Sequence, residues 1–174
     1  MNRNYDKMIE RHRLTITAFV LTFAALGQII LSFVLYNEEG NIFIRNLGWI
    51  LLWISAIFGW LPMFTLRKWG KVPDGKAYVH TTELVDRGIF GIVRHPQYLA
   101  GILLGIGLSL IVQHWLVAIL GVVVAGISYS DTHSEEKTLI GKFGAKYEEY
   151  MKRVPRVNFL LGMLRLFDRK NKHK

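Results

Sequence analysis

Three long stretches of the chain carry no charged side chain: Leu14–Tyr36, Leu47–Leu66 and Tyr98–Ser130, of 23, 20 and 33 residues. About 20 apolar residues in a helix cross a hydrocarbon core about 30 Å thick, so each stretch predicts membrane helix. Before the first stretch, Met1–Arg13 is charged and reads as a helical lead-in. The first stretch is too long and too late for the apolar part of a cleaved signal peptide, and no small-residue cleavage site follows it. The second holds Pro62, which is expected to kink the helix or mark its end, since proline removes a backbone donor. Trp69–Gly75 then reads as a loop. The third stretch is too long for one crossing and too short for two complete ones, because two arms of about 15 residues reach only about 22 Å each. Gln113-His114 lies at its middle and predicts the turn of a helical hairpin. A hairpin returns to its starting side, so Arg94-His95-Pro96 and Asp131–Glu136 emerge side by side.

Downstream, Leu139, Ile140, Phe143, Tyr147, Tyr150, Met151 and Val154 recur at steps of three and four, which predicts one amphipathic helix ended by Pro155. Glu136 precedes Ile140, Phe143 and Tyr147 by 4, 7 and 11 positions and shares their face, whereas Glu135 lies above Leu139 and Lys142. A carboxylate on an apolar face requires a partner. Phe159–Phe167 is too short to span and reads as an interfacial segment with snorkelling Arg165. The pattern predicts an all-α, polytopic transmembrane helical protein. It has four to five membrane helices, including the short hairpin, and a cytoplasmic C-terminal amphipathic helix. A fifth span requires Tyr78–Val93 to dip into the membrane or the hairpin arms to be counted apart from other short helices. Residues 1–77 form the N-terminal transmembrane helices and their loop; residues 78–174 form a catalytic, cofactor-binding subdomain.

Composition adds less than clustering does. The chain is 51% hydrophobic and 20% charged, close to soluble averages, so the long uncharged runs rather than the totals exclude a soluble enzyme. The absence of cysteine excludes a disulfide scaffold, a thiol nucleophile and a Cys zinc site. The net charge of +9 is unevenly spread: four bases in Met1–Arg13, six in Arg67–Gln97 and eleven in Asp131–Lys174, against two glutamates and one arginine in Asn37–Asn46. By the positive-inside rule, both termini, Arg67–Gln97 and the active site are cytoplasmic and Asn37–Asn46 is outside. The basicity therefore reports topology, with contact to anionic membrane lipids secondary and nucleic acid excluded as a partner. The six histidines show no HxxxH or HxH spacing, which argues against a metal site. No Walker A loop and no GxGxxG turn is present.

The residues able to carry chemistry are individually ordinary. In Arg94-His95-Pro96-Gln97-Tyr98-Leu99-Ala100-Gly101, Pro96 suits a first helical turn, Tyr98 an aromatic belt, and Gly101 with Gly105 a helix-packing pair. Glu135 suits a helix first turn. As a set they are not ordinary. This motif, a hydrophobic hairpin and Glu135-Glu136-Lys137 resemble the isoprenylcysteine carboxyl methyltransferase family, whose hallmark is RHPxYxG followed by a hydrophobic run and a Glu pair. Leu84-Val85-Asp86-Arg87-Gly88-Ile89-Phe90 is similar to the family's lead-in. Phe143-Gly144-Ala145-Lys146-Tyr147-Glu148-Glu149-Tyr150 is similar to its FGxxYxxY tail, and Val154-Pro155 to its closing VP. The resemblance covers residues 78 to 160.

The resemblance implies a membrane-embedded methyltransferase that uses S-adenosylmethionine, leaves S-adenosylhomocysteine, and has no Rossmann domain. By matching position it implies cofactor contacts from Glu83, Leu84, Val85, Phe90, His95, Pro96, Gln97, Tyr98 and Glu135. It implies a lipid-like acceptor entering from the bilayer, of the prenylcysteine-carboxylate type. The chain departs from relatives with that activity at Asp131-Thr132-His133-Ser134, where they tend to have arginines. A carboxylate acceptor needs no general base at neutral pH, and cations such as Arg94, Arg153 or Arg156 would orient it. An amine or phenol acceptor would need Glu136 or His133 as proton acceptor. Arg94 and Glu136 are the expected catalytic residues. The alternatives are a phospholipid or amine methyltransferase, an NADPH-dependent membrane reductase of the sterol-reductase type, and a non-catalytic membrane protein.

Overall fold

The computed structural model describes residues 3–171. They form six α-helices: α1 (Arg3–Val34), α2 (Ile42–Trp69), α3 (Pro96–Val112), α4 (Trp115–Phe143), α5 (Ala145–Arg153) and α6 (Phe159–Asn171), with one 3₁₀ turn at Gly88–Gly91. Three helices are long and apolar enough to cross a membrane, namely Ile16–Val34 within α1, α2 and α4, and α3 is a shorter apolar helix. The expected four to five membrane helices are thus three long ones and a 17-residue fourth. Tyr78–Val93 supplies no fifth helix: it is irregular apart from the 3₁₀ turn.

Two compact units divide the chain, one of residues 1–53 and 101–131, the other of residues 54–100 and 132–174. In the first unit α1, the start of α2 and the hairpin pack through small residues. A Cβ on Gly48 would lie 2.8 Å from the Gly107 carbonyl oxygen, and one on Gly105 would lie 3.0 Å from that of Gly121. Backbones this close require glycine, the usual means of joining helices in lipid. Gln28 on α1 is buried, and its Nε2 donates to the carbonyls of Gly105 at 2.8 Å and Val117 at 3.2 Å. A primary amide in hydrocarbon is costly without such partners. The hairpin turns at Gln113-His114, as the midpoint of the third apolar stretch predicts. Gln113 adopts φ 53°, and its side chain bonds both the N–H and the carbonyl of Asn41, at 2.9 and 2.8 Å.

Two predicted boundaries differ. Of the two outcomes expected at Pro62, the helix end is not found: the second helix runs on through Arg67 and Lys68 to Trp69. Membrane helices tolerate an internal proline where side-chain donors or neighbouring helices satisfy the carbonyl it frees. The amphipathic segment after the hairpin is not one helix. α4 continues unbroken through Asp131–Glu136 to Phe143, and α5 starts afresh after Gly144, whose φ of 58° and ψ of −139° interrupt the helix. Glycine reaches that conformation without a Cβ clash, so the 3.6 period persists in the sequence while the axis changes. Phe159–Phe167 belongs to a longer helix, α6, that exposes Leu160, Leu164 and Phe167.

The second unit holds the loop 70–95 between α2 and α3. Gly70 anchors its start: its carbonyl accepts from Thr82 N at 2.9 Å, and a Cβ there would meet Thr81 at 2.4 Å. At its other end, Arg94 N and His95 N donate to the carbonyls of Pro155 and Arg156 at 3.0 and 3.1 Å. Tyr150 Oη donates to the Phe90 carbonyl at 2.6 Å, and Arg169 Nη2 to that of Gly91 at 2.9 Å. Helices α5 and α6 therefore hold the loop that precedes the Arg94-His95-Pro96 motif.

Candidate active site

The motif begins where the chain enters α3. Pro96 is the first helical residue, a position where its missing N–H costs nothing and its fixed φ is already helical. His95 is thereby pinned between two backbone bonds: its N–H to Arg156, and its carbonyl to Leu99 N at 3.0 Å. Its ring is buried and lies between the two adjacent glutamates, with Nδ1 3.4 Å from Glu135 and Nε2 3.2 Å from Glu136. Burial opposes protonation of this ring. The hydrogen bonds to both glutamates, reinforced by their charges, outweigh it and hold the pKa above its ordinary value.

Helical register separates Glu135 from Glu136 as the periodicity predicts, because α4 is regular across them. Glu136 is buried at 3% exposure, while the side chain of Glu135 is 42% exposed. Both carboxylate oxygens of Glu136 are engaged. Oε1 accepts from Arg94 Nη2 at 2.6 Å, from Arg94 Nε at 3.0 Å and from Arg156 Nε at 3.1 Å, and Oε2 accepts from Arg156 Nη2 at 2.5 Å. Arg94 Nη1 donates to the carbonyls of Met151 and Val154, each at 2.7 Å. A carboxylate held between two guanidiniums is ionised, and Glu136 does not border the cavity that Glu135 lines, which sets it apart from a proton-transfer role. The Arg156 guanidinium also contacts His133.

One cavity gathers the residues expected to contact cofactor. Glu83, Leu84, Val85 and Phe90 line it from the loop, His95, Pro96, Gln97 and Tyr98 from the motif, and Glu135 from α4. Arg94 also lines it, whereas Glu136 does not. Glu83 is held by an exposed ion pair with Lys71 at 2.6 Å, Gln97 donates to Tyr78 Oη at 2.7 Å, and the Tyr98 ring meets that of His95 edge-on at 5.8 Å. The resemblance by motif missed seven wall residues: Leu66, Val79, Thr81, Leu139, Phe143, Tyr147 and Tyr150. Four of these, Leu139, Phe143, Tyr147 and Tyr150, were already marked by their helical spacing, which carries burial but not the cavity they border.

The lining suits the cofactor the motifs imply. Apolar walls from Leu66, Leu84, Val85, Phe90 and Leu139 accommodate a flat heterocycle, and the half-exposed Glu135 carboxylate complements a cation or paired hydroxyls. The charged lining residues are two acids, Glu83 and Glu135, and Arg94, whose donors are already engaged.

Residues 43–146 match the family described as Phospholipid methyltransferase. The chain is also 29% identical over 99 residues to a fission-yeast (Schizosaccharomyces pombe) protein named Protein-S-isoprenylcysteine O-methyltransferase; the match covers 52% of this chain and 42% of that protein.

Proposed function

For a chain that belongs to the phospholipid methyltransferase family, we propose that the cavity binds S-adenosylmethionine and that the methyl group passes to a lipophilic acceptor entering from the bilayer, a prenylcysteine-type carboxylate. The observation that carries this reading is the convergence of nine residues, from three separate stretches of sequence, on one cavity. When bound, S-adenosylmethionine supplies an electrophilic methyl group on a sulfonium. The chain's own residues then have to align the reactants and exclude water, since a carboxylate nucleophile is already ionised.

Glu135 is the charged contact for the donor. Arg94 and Glu136 are positioning residues: their pair fixes the His95 ring and joins the motif to the chain after α5. Glu136 is held by two guanidiniums and does not border the cavity, which favours a carboxylate over an amine acceptor, since that glutamate does not reach an amine to take its proton. Residues 78–174, with Leu66 from α2, carry the site. The basic bias of the segments bearing it supports a cytoplasmic site and cytoplasmic termini.

Calorimetric titration of the purified protein in nanodiscs with S-adenosylhomocysteine and with NADPH tests the cofactor. Binding of the first alone is expected; binding of NADPH instead would establish the reductase reading. Radiolabelled methyl transfer to N-acetyl-S-farnesylcysteine, compared with phosphatidylethanolamine, tests the acceptor.

A further inference from the structure

Tyr147 stands apart among the cavity's wall residues. It is 1% exposed, and its hydroxyl is buried without a hydrogen-bond partner among the described residues. Its neighbour Tyr150, packed edge-on against it with ring centroids 5.6 Å apart, has its hydroxyl satisfied by the Phe90 carbonyl. A buried donor left unmade is rare in native proteins and costs the desolvation of the group. Phenylalanine at position 147 would keep the packing without that cost. Tyr147 belongs to a cluster with Tyr150 and Val154, against which Leu84, Leu139, Ile140, Phe143 and Met151 pack, a largely apolar setting that a neutral heteroaromatic ring enters more cheaply than a carboxylate does. Burial, aided by the nearby charge of Glu136, raises the Tyr147 pKa above its ordinary value, so the phenol stays protonated and serves as a donor.

We propose that Tyr147 is a further cofactor-binding residue, whose hydroxyl donates to a ring nitrogen of the purine of the methyl donor. This rests on the assignment of the cavity to S-adenosylmethionine. The hydroxyl is closed off within the wall, so the contact requires a small side-chain movement to bring donor and acceptor together. The bond satisfies the buried donor and adds selectivity for a purine bearing an acceptor at that place.

The test is Tyr147→Phe in the full chain in nanodiscs, with melting and titration by S-adenosylhomocysteine and its 1-, 3- and 7-deaza analogues. The ligand-free variant is expected to melt at or above the wild-type temperature. Its affinity for S-adenosylhomocysteine is expected to fall about five- to ten-fold, the worth of one hydrogen bond. For one deaza analogue, wild type and variant should bind equally well. A ligand-free variant that melts well below wild type, unchanged affinity, or the same loss with all three analogues would overturn the proposal. Failure of the wild type to bind S-adenosylhomocysteine would instead overturn the cavity assignment itself.

Discussion

Glu135 and Glu136 are adjacent, chemically identical, and in opposite situations. Glu136 is enclosed by Arg94, Arg156 and His95, while Glu135 borders the cavity. Glu136→Gln leaves two guanidiniums without their counter-ion, one of them at 8% side-chain exposure. Breaking a buried pair in this way costs about 3–5 kcal/mol, and chemical or thermal unfolding in micelles should show it. Glu135→Gln should leave the melting temperature within a degree or two and weaken S-adenosylhomocysteine by about 1.5 kcal/mol, the low end for a charged hydrogen bond, because the group is half-exposed. Equal effects on both measurements in the two variants would mean that the register carries no functional distinction. His95 adds a pH dependence. Its pKa is raised in the folded protein, so its protonation stabilises the fold fully below its unfolded value of about 6.5, and that contribution is lost as the pH rises through the folded value. Melting curves from pH 6 upward should fall more steeply for wild type than for His95→Gln; parallel curves would remove His95 as the titrating group.

At the scale of elements, the hairpin and the break after α4 set the geometry. The hairpin returns the Glu pair to the RHP motif because its arms are nearly equal in reach, which counting residues about Gln113-His114 predicts. The break at Gly144 was not legible in the same way. A glycine within an otherwise periodic run can be tolerated inside a helix, and the 3.6 period continues from Phe143 to Tyr147 regardless. Its φ of 58° with ψ of −139° is a conformation in which a Cβ is strained even though nothing lies within 4 Å of one there. Gly144→Ala should therefore cost about 1–3 kcal/mol of stability. It should also lower cofactor affinity, since Tyr147 and Tyr150 of the cavity wall lie on α5. Unaltered unfolding would show that α4 and α5 can fuse into one helix without penalty.

At the scale of the molecule, three long apolar helices and the shorter α3 make this a multi-pass membrane protein. The large exposed side chains on the long helices, such as Phe23, Phe33, Trp53, Trp60 and Val122, are those expected to face lipid. The absence of cysteine makes the topology directly measurable with single introduced thiols. Cysteine at Asn41 should react with an impermeant maleimide in intact cells, and cysteine at Asn171 only after permeabilisation. The reverse pattern would invert the cytoplasmic assignment of the site.

Helix class, the two hairpin arms and the separate faces of Glu135 and Glu136 follow from the sequence, because each depends on local spacing along a regular helix. The nine residues around the cavity were legible as well, through motifs rather than periodicity. The tertiary structure alone decided what those residues touch. Arg156, twenty positions after Glu136, closes the ion cluster with Arg94. The carbonyls of Pro155 and Arg156 pin the motif's backbone, and Gln28 of α1 bonds two hairpin carbonyls 77 and 89 positions away. Partners so distant along the chain leave no trace in local spacing; they arise when burial forces each polar group to find whatever complement folding has brought within reach.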